Sequence, residues 1–390
     1  MVTLEEALQI VAGTAYRLPS EEVSLPDAIG RVLAEDIRSD MDMPPYNKAA
    51  VDGFACQRTS LNRPMIITET IPAGTVPWNI INAGECARIM TGAMMPQGAD
   101  CVVMVEDTVV GQDGSVQWLA ETTGANYVPR AEDIHQGDIV LEAGTEIGAA
   151  QTAVLATVGC FRPRVYRRPV VGILATGDEL TEPWNRPREM QIRNSNAWQT
   201  IAQVKQSGAE YLYGGIAPDT PEGLFEKIQY LLQGCDVLVM SGGVSMGEYD
   251  HVPGVMTQAG MEVLFKNIAV QPGRPTLFGS IGAVPVFGLP GNPVSSYLQF
   301  GLLVRPLLKT MMGASYQPVV HSAVMGTGYL RKKSARRSLV PVILLQGEAF
   351  PVEYHGSAHI NAYTNASGFI DVPAGITEIQ KGEKVNVRQI

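Results

Sequence analysis

The sequence predicts an α/β and β multidomain protein, a central α/β domain between β-rich regions, and three observations carry that expectation. The chain has 390 residues, too many for one ordinary hydrophobic core. Between residues 166 and 312 short apolar runs alternate with capped helical segments, the pattern of a parallel sheet covered by helices. On either side, over 54–130 and beyond about 313, the period shortens to two and Gly and Pro mark the turns.

Composition narrows the class. Hydrophobic residues make up 45% of the chain, yet no uninterrupted apolar run approaches the ~18 residues that a membrane span needs. Met1 to Tyr16 lacks the basic and apolar regions of a signal peptide, so a cytoplasmic protein without membrane contact is expected. Five cysteines without a C-x-x-C pair suggest reduced core thiols rather than disulfides or zinc. A net charge of −10 argues against a general nucleic-acid binder, whose affinity rests on Lys and Arg. His355 and His359 are four apart, but Gly356 and Ser357 between them disfavour a helical metal pair.

In chain order, Thr3 to Glu6 forms a capping box, and Leu4, Leu8 and Val11 continue at helical spacing. Residues 20–45, interrupted by Pro26, Gly30, Pro44 and Pro45, suit extended connections better than a compact core. Asp52 beside Gly53 reads locally as a plain turn. Strand-like runs at Met65 to Thr70 and Cys101 to Val105 make 54–130 a β domain. Within it Met90 to Asp100 is a long turn whose Thr91 offers a hydroxyl, although a lone Thr in a loop is usually a turn residue. Arg130, Glu132 and Asp133 close that domain with mixed charge. Gly148 to Val158 is a helix stopped by Gly159, and the basic Phe161 to Arg164 link places a boundary near 165.

Beyond it, Val170 to Ala175 and Asp236 to Met240 are expected as buried strands. Asn196 is expected to cap a helix ending at Gly208, and Thr220 with Pro221 another ending at Gly234. The stretch Leu238 to Asp250 drives an apolar strand into Ser241-Gly242-Gly243-Val244-Ser245-Met246-Gly247-Glu248-Tyr249-Asp250. Its glycines bring amides close to an anion, and Glu248 and Asp250 supply hard oxygens suited to Mg²⁺ beside a phosphate. Thr176-Gly177-Asp178-Glu179 follows the earlier strand. Ligands of such sheets sit at the carboxyl ends of strands, so both loops face one crevice if their strands are neighbours. Clustered carboxylates there would repel one another without a cation. Gln271 to Pro275, with Arg274, and Leu289 to Ser296 are further Pro/Gly loops, the second opening a helix whose amides suit a phosphate. Beyond 313 a small barrel or sandwich is expected, and the basic run Arg331 to Arg337 reads as a solvated hairpin more often than a binding patch, with attraction of an anion the alternative.

Taken together these loops resemble a known family. Gly30 to Asp36, Ala50 to Ala55, Thr91-Gly92-Ala93 with Pro96 and Gly98 to Asp100, Ala175 to Leu180, Ser241 to Ser245 with Gly247 and Asp250, and Leu289 to Ser295 occur in the order found in molybdopterin molybdenumtransferases, the MoeA family related to the gephyrin E domain. The likeness spans nearly the whole chain. It implies an extended N-terminal domain from 1–45 and 132–165, an inserted β domain over 46–131, a doubly wound molybdopterin-binding α/β domain over 166–312 and a C-terminal β-barrel over 313–390. It also implies the reaction: adenylylated molybdopterin and molybdate give the molybdenum cofactor and AMP, with Mg²⁺ as cofactor. The partners implied are a second copy of the chain, sharing the site so that Asp52 and Thr91 act in trans, and the molybdopterin adenylyltransferase. By position the catalytic residues become Asp52, Thr91, Asp133, Glu179, Asp219 and Asp250, with Glu179 and Asp250 on the metal. Thr176, Gly177, Asp178, Ser241, Gly242, Gly243, Ser245, Arg274, Pro290, Gly291, Asn292 and Ser295 would hold the pterin and phosphates. Asn267, Gln271, Ala362 and Ser367 depart from the family pattern, which implies altered oxyanion contacts. An adenylyltransferase would resemble only 166–312, and nothing in the sequence looks like the attached partner-binding segment of a scaffold.

Overall fold

The structure is a computed structural model that describes residues 1–218, 220–243 and 252–389. Its centre is a six-stranded sheet in the order Glu210–Ala217, Val170–Thr176, Val237–Ser241, Val284–Leu289, Pro275–Ile281, Met261–Asn267. The first four strands are parallel, Pro275–Ile281 runs antiparallel to both its neighbours, and Met261–Asn267 at the edge again points the same way as the first four. Alternation along the strands sends Val171, Ile173, Ala175 and Val239 into one core and Leu174, Leu238 and Met240 into the other. The helix Ser195–Gln206 covers the first face with Ala197, Ile201 and Val204, and Pro221–Leu232 covers the second with Leu224, Ile228 and Leu231. The sheet is therefore doubly wound. The chain leaves Val170–Thr176 first to one side and then to the other, which makes the carboxyl ends of Val170–Thr176 and Val237–Ser241 a topological switch point.

The cap of the Ser195–Gln206 helix is a correction. Asn194, not Asn196, is the N-cap: its ψ of 84° lies outside the helical range and its side chain accepts from the Ala197 amide at 3.2 Å. Asn196 is already helical and turned inward, 8% exposed. Thr220 and Pro221 start the next helix as expected.

Residues 20–45 are more compact than their Pro and Gly content suggests. Ser20–Glu22 pairs with Arg164–Tyr166 and Ile37–Arg38 with Ile139–Leu141. Ala28, Leu33 and Ile37 then share a core with Ile147, Leu155, Val158 and Val165, the middle two of the helix region Ala149–Thr157 and its cap. Short-range composition does not register this core because its two halves lie more than a hundred residues apart. The capping box at Thr3 and Glu6 is present, and Leu4, Ala7 and Val11 of the Leu4–Gly13 helix enter the central core.

The inserted sheet runs Cys101–Met104, Gly53–Cys56, Glu85–Ile89, Met65–Ile71, Ser115–Trp118, Thr108–Val110. Both its faces are buried, one around Phe54, Met65 and Val103, the other around Ala55, Ile71 and Val102. Cys56, Cys86, Cys101 and Cys235 are buried free thiols, and Cys160 is half-buried. At the C-terminus Val320–Met325, Glu348–Pro351, Arg337–Leu345, Gly368–Val372 and Lys384–Arg388 close on themselves, so a barrel and not a sandwich forms. The basic run is not a freely solvated hairpin. Arg331 donates to the carbonyls of Ile376, Arg336 and Pro373, and Arg337 pairs with both Glu5 and Asp371. Among the described residues no helix is long and apolar enough to cross a membrane.

Candidate active site

Three loops meet at the switch point because three neighbouring strands end there. Thr176, buried, closes Val170–Thr176 and its Oγ1 donates weakly to the Ser241 carbonyl at 3.5 Å. The Gly242 amide donates to the Leu289 carbonyl at 3.2 Å, which ties the second loop to the third. Gly242 has φ +92°, and a Cβ there would stand 2.4 Å from the Thr176 carbonyl oxygen. Only glycine lets the two loops approach this closely. A Cβ on Gly291 would lie 3.7 Å from the Gly242 Cα, an ordinary contact distance, so the third loop runs close beside the second.

A cavity of about 330 Å³ opens between these loops, with Thr176, Glu179, Arg193, Asn196, Gly242 and Asn292 in its wall. A second, of about 500 Å³, adjoins it across Asn292 and includes Arg274, Ser295, Arg336, Tyr354 and Ser357. Ser241 and Gly291 line the first cavity, and Pro290 and Gln271 line the second. Gly177, Asp178 and Gly243 belong to the same loops without forming cavity wall. The Glu179 carboxylate folds back over Gly177, where a Cβ would meet its Oε2 at 2.4 Å. Tyr354 lines the second cavity, and burial pushes its phenol up to about 12, so the hydroxyl is neutral. Ser245, Asp219 and Asp250 lie outside the described residues.

Three sequence-derived site residues stand elsewhere. Asp52 precedes the Gly53–Cys56 strand of the inserted sheet, and its Oδ1 accepts from both the amide and the hydroxyl of Thr91, each at 2.7 Å. The pair is exposed, and the Thr91 hydroxyl, followed by its amide, holds the Asp52 carboxyl below its usual range. Asp133 is also exposed, its amide donating to the Met43 carbonyl at 3.0 Å. Neither Asp133 nor the Asp52–Thr91 pair lines either cavity. Of the departures from the family pattern, Gln271 faces the second cavity, and the Ser367 hydroxyl accepts from the Leu344 amide at 3.0 Å inside the barrel.

Sequence inspection overlooked Arg193, Asn196, Arg336, Tyr354 and Ser357. Asn196 was hidden by its likeness to a cap, and Arg336 was read only as one of a basic run that could attract an anion, not as part of this cavity. Tyr354 precedes the histidine pair and Ser357 lies within it, and neither carries a local signal. Chemically, the two cavities combine one carboxylate with Arg193, Arg274 and Arg336, backbone amides and several hydroxyls. This is a set that accepts an extended anion.

Comparison with known proteins gives a consistent result along the chain. The MoeA N-terminal region (domain I and II) matches residues 2–159, a probable molybdopterin binding domain matches 172–310, and the MoeA C-terminal region (domain IV) matches 326–390. A molybdopterin molybdenumtransferase of Bacillus subtilis is 32% identical, over 99% of this chain and 93% of its own length. One from Nostoc sp. is also 32% identical, over 100% of this chain and 94% of its own. The crystal structure of the molybdopterin biosynthesis MoeA protein from Pyrococcus horikosii has a TM-score of 0.86 at 33% identity, covering 100% of this chain and 99% of that one.

Proposed function

The chain belongs to the MoeA family of molybdopterin molybdenumtransferases, and from that premise we propose that it takes adenylylated molybdopterin and molybdate and yields the molybdenum cofactor and AMP, with a divalent cation as cofactor. As a family member it is a transferase of molybdenum cofactor biosynthesis. The observation that carries the finer proposal is the packing of Gly242 against Thr176 and of Gly291 against Gly242 at the switch point, which leaves two adjoining cavities suited to an extended anionic ligand.

In this proposal the pterin and phosphates lie along Ser241–Gly243 and Pro290–Ser295. Arg274 supplies charge in the second cavity, where the oxyanion would enter. Oriented amides and guanidinium groups favour the charge that develops on a phosphoanhydride and an incoming oxyanion. Among the described residues the wall of the first cavity offers carboxylate, hydroxyl and amide oxygens and neither thiolate nor imidazole, the donor class that Mg²⁺ takes. Glu179 is the described residue that would hold it, together with Asp250. The cation would neutralise phosphate charge as AMP leaves. No nucleophile–base pair stands in either cavity wall among the described residues, which favours direct displacement over a covalent intermediate.

The test is AMP release. Incubation of the protein with adenylylated molybdopterin, molybdate and Mg²⁺ should release AMP well above a protein-free control, and release should stop with chelator. Absence of AMP alongside normal molybdenum transfer to unmodified molybdopterin would reject the adenylylated substrate.

A further inference from the structure

The Ser195–Gln206 helix turns three amide side chains toward the third loop and the helix behind it. Asn196 Nδ2 donates to the Gly291 carbonyl at 2.7 Å, Gln199 Nε2 to the Pro293 carbonyl at 3.2 Å, and Gln203 Nε2 to the Tyr297 carbonyl at 3.0 Å. Positions 196, 199 and 203 fall on one helical face, so the three amides form a ladder along one edge of the Gly291 to Tyr297 segment. The two glutamines hold the helix Pro293–Gln299. Asn196 alone holds the loop ahead of it.

We propose that Asn196 is a positioning residue for the transferase reaction: by fixing the Gly291 carbonyl it sets the geometry of the Pro290–Ser295 loop that receives the ligand. This rests on the proposed placement of the ligand at that loop. A trans peptide directs its C=O and N–H oppositely, so clamping the Gly291 carbonyl turns the Asn292 amide away from the helix. Asn292 is the residue shared by the walls of both cavities. Gly291 also lies beside Gly242, whose amide donates to the Leu289 carbonyl of the third loop, and Gly242 packs against Thr176. The position of one side-chain amide is thereby passed to all three loops of the site.

The Asn196 side chain gains little stability for this. It is 8% exposed, and its Oδ1 is buried without a hydrogen-bond partner among the described residues. An unpaired buried acceptor offsets much of what the Nδ2 bond contributes. Removing the side chain should then disturb the loop more than the fold.

The experiment compares Asn196→Ala and Asn196→Asp with Gln203→Ala in the full chain, reading the melting temperature and the Kd for molybdopterin by fluorescence titration. Binding is read rather than turnover, so the result does not depend on whether AMP is a product. The expected outcome is a Kd raised about ten-fold or more in both Asn196 variants, with melting temperatures close to wild type and Gln203→Ala binding within about two-fold. A Kd within two-fold in Asn196→Ala overturns the proposal. So does an equal loss in Gln203→Ala, which would make the effect one of general helix packing. Should Asn196→Ala unfold, the near-isosteric Asn196→Asp decides on the same criteria, since its carboxylate repels the Gly291 carbonyl without leaving a void.

Discussion

Glu179 and Gly242 show how single residues make the site. The Glu179 carboxylate lies in the wall of the first cavity with its oxygens turned over Gly177. Glu179→Gln keeps that shape and removes the charge, and AMP release should fall on the order of a hundred-fold while the melting temperature holds. Gly242→Ala should act through shape instead. Its methyl would stand 2.4 Å from the Thr176 carbonyl, so the second loop must move away and molybdopterin binding should be lost, as measured by titration. In the Asp52–Thr91 pair, two hydrogen bonds to one oxygen favour the ionised carboxyl. A depressed carboxyl contributes stability present above its unfolded pKa and lost as pH falls through the folded value. Thr91→Val removes the hydroxyl, and NMR should find the Asp52 titration moved upward, toward the usual carboxylate range.

Whole elements are joined by a few polar contacts whose weight can be compared. Arg337, on a barrel strand, pairs with Glu5 of the Leu4–Gly13 helix and at 3.2 Å with Asp371 of the neighbouring strand. Its side chain is 26% exposed, against 61% for Glu5. Exposed ion pairs contribute roughly 0.2–1 kcal/mol. Arg337→Ala should therefore cost about 1 kcal/mol in urea unfolding, and Glu5→Ala less, because Arg337 then keeps Asp371. Equal costs would mean that Asp371 adds nothing to the junction. The same helix is capped by Thr3 and Glu6 and buries Leu4, Ala7 and Val11, so its attachment rests mainly on apolar packing and the Arg337–Glu5 pair adds to it.

At the scale of the whole molecule, the cavities lie at the central sheet while Asp52 and Thr91 sit on the inserted sheet, outside both cavity walls. If a second copy brings that pair to the site, as the family resemblance implies, catalysis needs residues from two chains. Mixing Asp52→Asn with Glu179→Gln protein should then restore activity on the order of a quarter of wild type, because half the dimers are mixed and each mixed dimer holds one intact site. Two inactive variants that stay inactive after mixing and subunit exchange would place both residues in one chain's site.

Much of this molecule was legible in its sequence. The alternation of Val170 to Ala175 and Asp236 to Met240 with capped helices gave the parallel sheet, and Gly242 with Thr176 marked where its loops meet. These features are local: strand period, cap chemistry and glycine backbone are written in neighbouring residues. What stayed hidden depends on distant ones. The core joining Ala28 and Leu33 to Leu155 and Val165, the fixing of Arg337 by Glu5 and Asp371, and the placement of Arg336 and Tyr354 in the second cavity each need chain segments brought together by folding. By itself the sequence determined the strands and capped helices of the central sheet and the glycine loops that end it. Only the tertiary structure decided which of them share a cavity, because side-chain neighbours across the chain are set by how sheets and helices pack. Asn196 stands on that line: its sequence suggested a helix cap, and packing made it the clamp on Gly291.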